Sequence, residues 1–239
     1  MLENKTAIIT GSSRGLGKSI AWKLAKEGMN VTIVGRSSDI HEVAEELTQA
    51  GYRALACQAD VSEESDVEAF VEATLKQFGS IDTLVNNAGV GLFKYIEDIT
   101  LEEWQRLFNI NVQGVFLCSK AVVPHMKERE EGTIITISSD VGRRTMPKGT
   151  AYTATKYAVQ AFSGSLAQEV REYGIRVGTI NPGMIDTYFN QSKQGEPHKE
   201  DWLKADDVAD AVVYMASAPK HVVIDEMMLH PLIQEYPRV

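Results

Sequence analysis

The chain has 239 residues, 44% of them hydrophobic, and its 24 Lys and Arg against 33 Asp and Glu give a formal charge of −9. That length supports one α/β domain over residues 1–239, and the acidic balance argues against nucleic acid or an anionic membrane as partner, since both attract a basic surface. With Cys57 and Cys118 as the two cysteines and no His/Cys cluster at ligand spacing, neither a disulfide framework nor a metal site is expected, and a reducing cytoplasm fits. The N-terminus lacks a signal-peptide pattern and no apolar stretch approaches a membrane span.

Thr6 to Thr10 reads as the first buried strand. Directly after it, Thr10-Gly11-Ser12-Ser13-Arg14-Gly15-Leu16-Gly17 leads into a helix over Ser19 to Glu27. Glycines at a strand-to-helix turn let main chain approach a diphosphate, and the helix start offers free N–H groups and a positive dipole to the anion. The second strand, Val31 to Val34, ends in Gly35-Arg36-Ser37-Ser38. An acid usually stands there when a dinucleotide has free ribose hydroxyls, but here the first acid is Asp39, better placed to cap the next helix. Arg36, with Arg14 and the Ser37 hydroxyl, suits a 2′-phosphate, so NADP(H) is expected over NAD(H).

A helix over Val43 to Gln49 precedes a strand at Ala54 to Ala59. Asp60 then has two open readings, acceptor for an adenine amino group or start of a turn, and Val61 follows it along the same cofactor edge. Next come a helix at Asp66 to Phe78, a strand at Ile81 to Val85, a helix at Trp104 to Met126 and a strand at Thr133 to Ile137. Arg143 and Arg144 follow, candidates for a substrate carboxylate or for ordinary surface residues. In Ala151 to Ala158, Tyr152 and Lys156 lie one helical turn apart on one face, where a lysine ammonium can make a phenol a working acid or base. The pattern closes with a helix at Tyr157 to Glu172, a strand at Ile175 to Ile180, a long irregular stretch at Asp186 to Asp201 that suits a lid, and a helix from near Ala205. Met184, Tyr188 and Phe189 are expected to wall the space beneath that lid. Alternating strands and helices of these lengths give a doubly wound, mostly parallel sheet with helices on both faces.

Together these segments resemble the short-chain dehydrogenase/reductase family from about Lys5 to Thr187, with motifs at Thr10 to Gly17, Asn86-Asn87-Ala88-Gly89, Asn109-Ile-Asn-Val, Ile137-Ser138-Ser139, Tyr152/Lys156 and Pro182-Gly183-Met184-Ile185-Asp186-Thr187. The resemblance implies a Rossmann fold of about seven strands. It places the catalytic residues at Asn111, Ser139, Tyr152 and Lys156. Tyr152 would pass a proton to or from a carbonyl oxygen while a hydride passes between nicotinamide and carbon; Ser139 would polarise that oxygen. Lys156 would hold ribose and lower the phenol pKa, and Asn111 would orient a water that refills the proton. Cofactor contacts are implied at Thr10, Gly11, Ser13, Arg14, Gly15, Leu16, Gly17, Arg36, Ser37, Asp60, Val61, Asn87, Ala88, Gly89, Tyr152, Lys156, Pro182, Gly183, Ile185 and Thr187.

The family's usual Asp-Gly-Gly turn after the last strand is missing, and the tail from Ala218 to Pro231 looks like that of members acting on 3-hydroxy acids and small carbonyls. The expected substrate is therefore a small ketone or a 3-oxo or 3-hydroxy acid. Two other readings stay open. One is a 3-oxoacyl-carrier-protein reductase, for which Lys127, Arg129 and Arg171 would have to meet an acidic carrier; the other is a non-catalytic NADP(H)-binding sensor or scaffold. The resemblance also implies a homodimer or homotetramer paired through the helices containing Trp104 to Met126 and Tyr157 to Glu172.

Overall fold

A computed structural model describes residues 2–235 of the chain. Seven strands form one parallel sheet: β1 (Thr6–Thr10), β2 (Asn30–Gly35), β3 (Ala54–Gln58), β4 (Thr83–Asn86), β5 (Gly132–Ile137), β6 (Ile175–Pro182) and, after two short strands in a loop, β9 (Glu226–Leu229). Their order is β3-β2-β1-β4-β5-β6-β9, all pairs parallel. The short strands, β7 (Ile185–Asp186) and β8 (Leu203–Lys204), pair with each other.

Alternation along β1 shows why helices cover both faces. Ala7 and Ile9 enter one core with Ile20 and Leu24 of α1 (Gly15–Lys26), Val43 and Leu47 of α2 (Asp39–Gln49), and Val208 and Val212 of α7 (Ala205–Ala216). Ile8, one residue out of phase, enters the other with Phe70 of α3 (Glu64–Phe78), Val122 of α5 (Gly114–Arg129) and Leu166 of α6 (Thr150–Val170). The strand order reverses between β1 and β4, and the crevice at their carboxyl ends is the place where such sheets hold ligands.

Several expected boundaries shift, each for a local reason. The helix expected from Trp104 begins earlier as α4 (Leu101–Phe108), because Thr100 and Glu103 form a reciprocal capping box. A π-turn at Asn109–Gln113 then joins α4 to α5. By length and composition, the resulting run Leu101–Arg129 could cross a membrane, although no segment was expected to; half of its most apolar stretch is buried in this fold, which accounts for its apolarity. Asp39 is the first residue of α2 rather than its cap, and its N–H donates to the Ser37 hydroxyl at 3.2 Å. Edge strand β3 is half-buried rather than buried. β9 forms without an Asp-Gly-Gly turn, in register with Thr179 to Pro182 of β6.

Candidate active site

The first half of the site is main chain held by a few polar side chains. Gly11 and Gly15 adopt φ of +66° and +55°, the left-handed region that favours glycine. At Gly17 a Cβ would lie 2.6 Å from Asn87 Nδ2 and 2.7 Å from Ser12 Cα, so α1 can start this close to β4 only with glycine there. The Thr10 hydroxyl accepts the N–H groups of Asn87 and Ala88, each at 3.0 Å. The Asn87 amide in turn donates to the carbonyls of Thr10 at 2.8 Å and Gly11 at 3.1 Å. Thr10, Asn87 and Ala88 thus tie the loop after β1 to the loop after β4. Arg14, at the N-cap of α1, makes no side-chain capping bond among the described residues, and no acid stands in the helix's first turn. Its free N–H groups and dipole fit the diphosphate of a dinucleotide.

Around this loop the other expected contacts fall into place unequally. Ser13 lies beside Gly35, Leu16 packs into the first core, and Val61 is buried against Gly114, the first residue of α5. Arg36 is half-exposed, with Nη1 3.6 Å from Asp60 Oδ2. Burial raises the Asp60 pKa, but hydrogen bonds from the Ser62 side chain and main chain, together with Arg36, outweigh it and leave the carboxyl below its ordinary value. Asp60 starts a turn, its Oδ1 taking both Ser62 donors at 3.0 and 2.7 Å. The Arg14 guanidinium lies over the Tyr188 ring, 5.2 Å from its centre.

The second half gathers at the ends of β4 and β5. Tyr152 is 7% exposed, flanked by Phe93 and Phe189 with ring centres 5.1 and 5.7 Å away. Lys156, also buried, donates from Nζ to the Ile137 carbonyl at 3.0 Å and lies 5.6 Å from the centre of the Tyr152 ring. Ser139, in the turn after β5, donates to Asp140 Oδ1 at 3.1 Å and accepts the Val141 N–H at 3.4 Å. Gly89 is close by: a Cβ there would stand 4.0 Å from Lys156 Nζ. Tyr152, Lys156, Ser139 and the glycine-rich loop after β4 therefore converge.

One expected detail changes. Burial pushes the Tyr152 phenol up rather than down; the Ser139 hydrogen bond opposes this and the Asp140 charge reinforces it. Burial also lowers Lys156 to about 8. The Asn111 side chain braces main chain: Oδ1 accepts the Val90 N–H at 2.9 Å, and Nδ2 donates to the Val90 carbonyl at 2.9 Å and Thr155 Oγ1 at 3.2 Å. That amide is therefore engaged with its neighbours.

The family model for short chain dehydrogenases matches residues 5–197. The chain belongs to that family. An uncharacterised oxidoreductase of Staphylococcus epidermidis is 33% identical over 232 residues, covering 97% of this chain and 99% of that one. An alcohol dehydrogenase from the archaeon Thermococcus sibiricus, solved with 5-hydroxy-NADP, superposes with a TM-score of 0.92 at 36% identity, covering 98% of this chain and 99% of that one. A 3-ketoacyl-(acyl-carrier-protein) reductase from Brucella melitensis, solved with NADH, has a TM-score of 0.89 at 34% identity over 97% of this chain and 99% of that one.

Within this short-chain dehydrogenase the expected lid is a compact, internally bonded loop. Lys199 is 1% exposed and pairs with Glu196 at 2.6 Å, while donating to Ser192 Oγ and the Lys193 carbonyl. Asp186 Oδ1 accepts the Gly195 N–H at 2.9 Å, and Lys204 Nζ reaches Asp186 Oδ2 at 3.3 Å. Beneath it, Thr187 is buried and accepts the Phe189 N–H at 3.3 Å, with Ile185 half-buried in β7. Pro182 ends β6, and the Gly183 N–H donates to the Leu229 carbonyl at 2.8 Å, tying this lining to β9.

Arg143 and Arg144 both stand in ion pairs. Arg143 grips Glu226 of β9, with Nε–Oε1 at 3.0 Å and Nη2–Oε2 at 2.6 Å, and Arg144 pairs with Asp140, its Nε 2.9 Å from Oδ2. Sequence reasoning missed Phe93, Asp140 and Gln234. Asp140 stood next to a motif serine, a signal within reach; Gln234 meets it across 94 residues, a pairing no local pattern encodes.

Proposed function

We propose that this protein is an NADP(H)-dependent oxidoreductase that interconverts a neutral carbonyl and its secondary alcohol. The observation that carries the reading is a buried Tyr152 with Lys156 Nζ 5.6 Å from its ring centre, near the crevice where the start of α1 offers donors to a diphosphate. A bound nicotinamide cofactor supplies or accepts the hydride. The chain's part is to hold and move the proton: Tyr152, kept protonated by burial, donates it to the carbonyl oxygen in reduction. Ser139 positions that oxygen. Lys156, with a pKa near neutrality, answers charge changes at the phenol. Asn111 keeps the Val90 main chain, and with it the Gly89 loop, against Lys156.

Arg36 and Ser37 support NADP(H) as the cofactor, because the half-exposed pairing of Arg36 with Asp60 is weak enough to yield to a phosphate. Phe93 and Phe189 beside Tyr152, with Arg143 and Arg144 held in ion pairs, favour an apolar ketone over a 3-oxo acid. A carrier-protein reductase is the second reading, favoured by the Brucella likeness. Against it, Arg129 is bonded to Asp82 at 3.0 Å and Lys127 lies over Tyr173. Exposed Phe116 on α5 and Tyr157 on α6 support pairing of these helices across a two-fold. The free thiols Cys57 and Cys118 suit a reducing cytoplasm.

NADPH oxidation followed by absorbance with cyclohexanone, a cyclic diketone, a 3-oxo acid and a 3-oxoacyl thioester tests the reading. The neutral ketones should give the highest kcat/KM; a clear preference for the acid or thioester contradicts the apolar-slot assignment. Arg36→Asp should lower the NADPH-to-NADH ratio of kcat/KM by about a hundredfold, the order expected for replacing a charged hydrogen bond by a like charge. An unchanged ratio would contradict the phosphate clamp.

A further inference from the structure

The turn after β5 contains a second buried acid-base partner. Asp140 is 4% exposed and immediately follows Ser139. Its Oδ1 accepts the Ser139 hydroxyl at 3.1 Å. Its Oδ2 takes Arg144 Nε at 2.9 Å and Gln234 Nε2 at 2.7 Å, with His230 Nε2 at 3.6 Å. Gln234 also accepts the Met184 N–H at 2.9 Å, so the segment after β9 is fastened at once to this carboxylate and to the loop after β6. The hydrogen bond that Ser139 donates thus goes to Asp140, while Ser139 and Asp140 act on the Tyr152 pKa in opposite directions, Ser139 lowering it and Asp140 raising it.

A serine hydroxyl has one proton to give. While Tyr152 is a phenol it can donate to the Ser139 oxygen, leaving the Ser139 proton for Asp140. Once Tyr152 becomes a phenolate it needs a donor, and Ser139 can serve only by releasing Asp140. The carboxylate and the phenolate thus compete for the same proton, and two negative charges on either side of one hydroxyl disfavour each other.

We propose that Asp140 is a positioning residue that turns the Ser139 hydroxyl away from Tyr152 and so holds Tyr152 in its proton-donating form, biasing the site toward carbonyl reduction. Arg144 and the C-terminal segment through Gln234 keep the carboxylate in place. The charge effect agrees in sign with the rise that Asp140 adds to the Tyr152 pKa. Charged and titratable groups facing the pair are Arg144 on the same turn, Lys156 on α6 and His230 after β9, while Arg143 is taken up by Glu226 of β9. Because Lys156 is near 8, the midpoint of an activity profile belongs to Tyr152 and Lys156 together; loss of a nearby anion lowers both.

This inference rests on the assignment of Tyr152 as the proton-transfer group. The probe is oxidation of 1-phenylethanol with NADP+, log kcat being measured against pH for wild type, Asp140→Asn and Arg144→Met, with NADPH affinity measured alongside by fluorescence. Asp140→Asn should move the midpoint to lower pH by about one unit, a usual effect of one neighbouring charge. Arg144→Met leaves the carboxylate without its cation and should move the midpoint to higher pH. NADPH Kd should stay within about twofold in both, as neither residue belongs to the diphosphate or ribose contacts. Opposed shifts support the inference; unmoved midpoints, or shifts of the same sign, overturn it. If Asp140→Asn does not fold, the sign of the Arg144→Met shift decides alone. Loss of turnover in Tyr152→Phe together with unmoved midpoints here would reject the Asp140 role and leave the functional reading standing. Near wild-type turnover in Tyr152→Phe would reject both.

Discussion

At the end of β1 the site is made of main chain, with Gly11, Gly15 and Gly17 bringing α1 against the β4 loop and a threonine hydroxyl stitching the two together. At the end of β5 it is made of side chains, and the groups around Ser139 come from α6, from the following turn and from the segment after β9. The difference separates two jobs. A diphosphate is recognised by N–H groups whose placement needs only close approach, so short-range sequence specifies it. A reacting carbonyl needs one hydroxyl aimed and one phenol kept protonated, which takes side chains gathered from several segments of the chain.

Gly17→Val gives the sharpest test of the main-chain half. Its new side chain would press on Ser12 main chain and the Asn87 amide, costing about 3 kcal/mol or more in stability as overpacking against backbone does. A large fall in Tm and lost NADPH binding are expected; a Tm within a few degrees of wild type would show that the loop can yield.

Lys156 sits where the halves meet, and it links stability to pH. Its folded pKa of about 8 lies below the ordinary 10.5, so between these values the unfolded chain binds more protons and rising pH favours the folded state. Below about 8 both states are protonated and the burial penalty is fully present; above 10.5 it is gone. The stability difference between wild type and Lys156→Met should therefore move in favour of wild type by about 3 kcal/mol from pH 8 to 10.5. Denaturant titrations at both ends measure it, and parallel curves would contradict the buried ammonium.

Thr10→Val keeps the shape and removes the acceptor for the Asn87 and Ala88 N–H groups. A loss of about 2 kcal/mol is expected from two donors left short of a partner, with weaker NADPH binding and little change in kcat. A fall in kcat at unchanged affinity would blur the division between the halves.

The same contrast governs what was legible in the sequence. Thr10 to Gly17 and the Tyr152/Lys156 pair are local spacings tied to one strand-to-helix turn and one helical face; α1 starts within the first, and Lys156 Nζ lies 5.6 Å from the Tyr152 ring centre in the second. The parallel sheet followed from alternating β-branched runs and helical spacing. The capping box at Thr100 and Glu103 was readable and would have moved the start of α4. Arg143 with Glu226 and Gln234 with Asp140 were not, because each depends on where the chain returns in space; the buried Lys199 pairs locally with Glu196, inside an irregular loop that no helical or strand period marks. The direction of the Tyr152 shift was also hidden: spacing shows a lysine nearby but not the burial and the Asp140 charge that push the phenol up.

Tyr152→Phe tests the central claim most directly, with NADPH affinity and kcat for ketone reduction measured on the same preparation. The account predicts affinity within about twofold of wild type and kcat reduced by about a thousandfold, the range for losing a general acid. A kcat near wild type at unchanged affinity would contradict it.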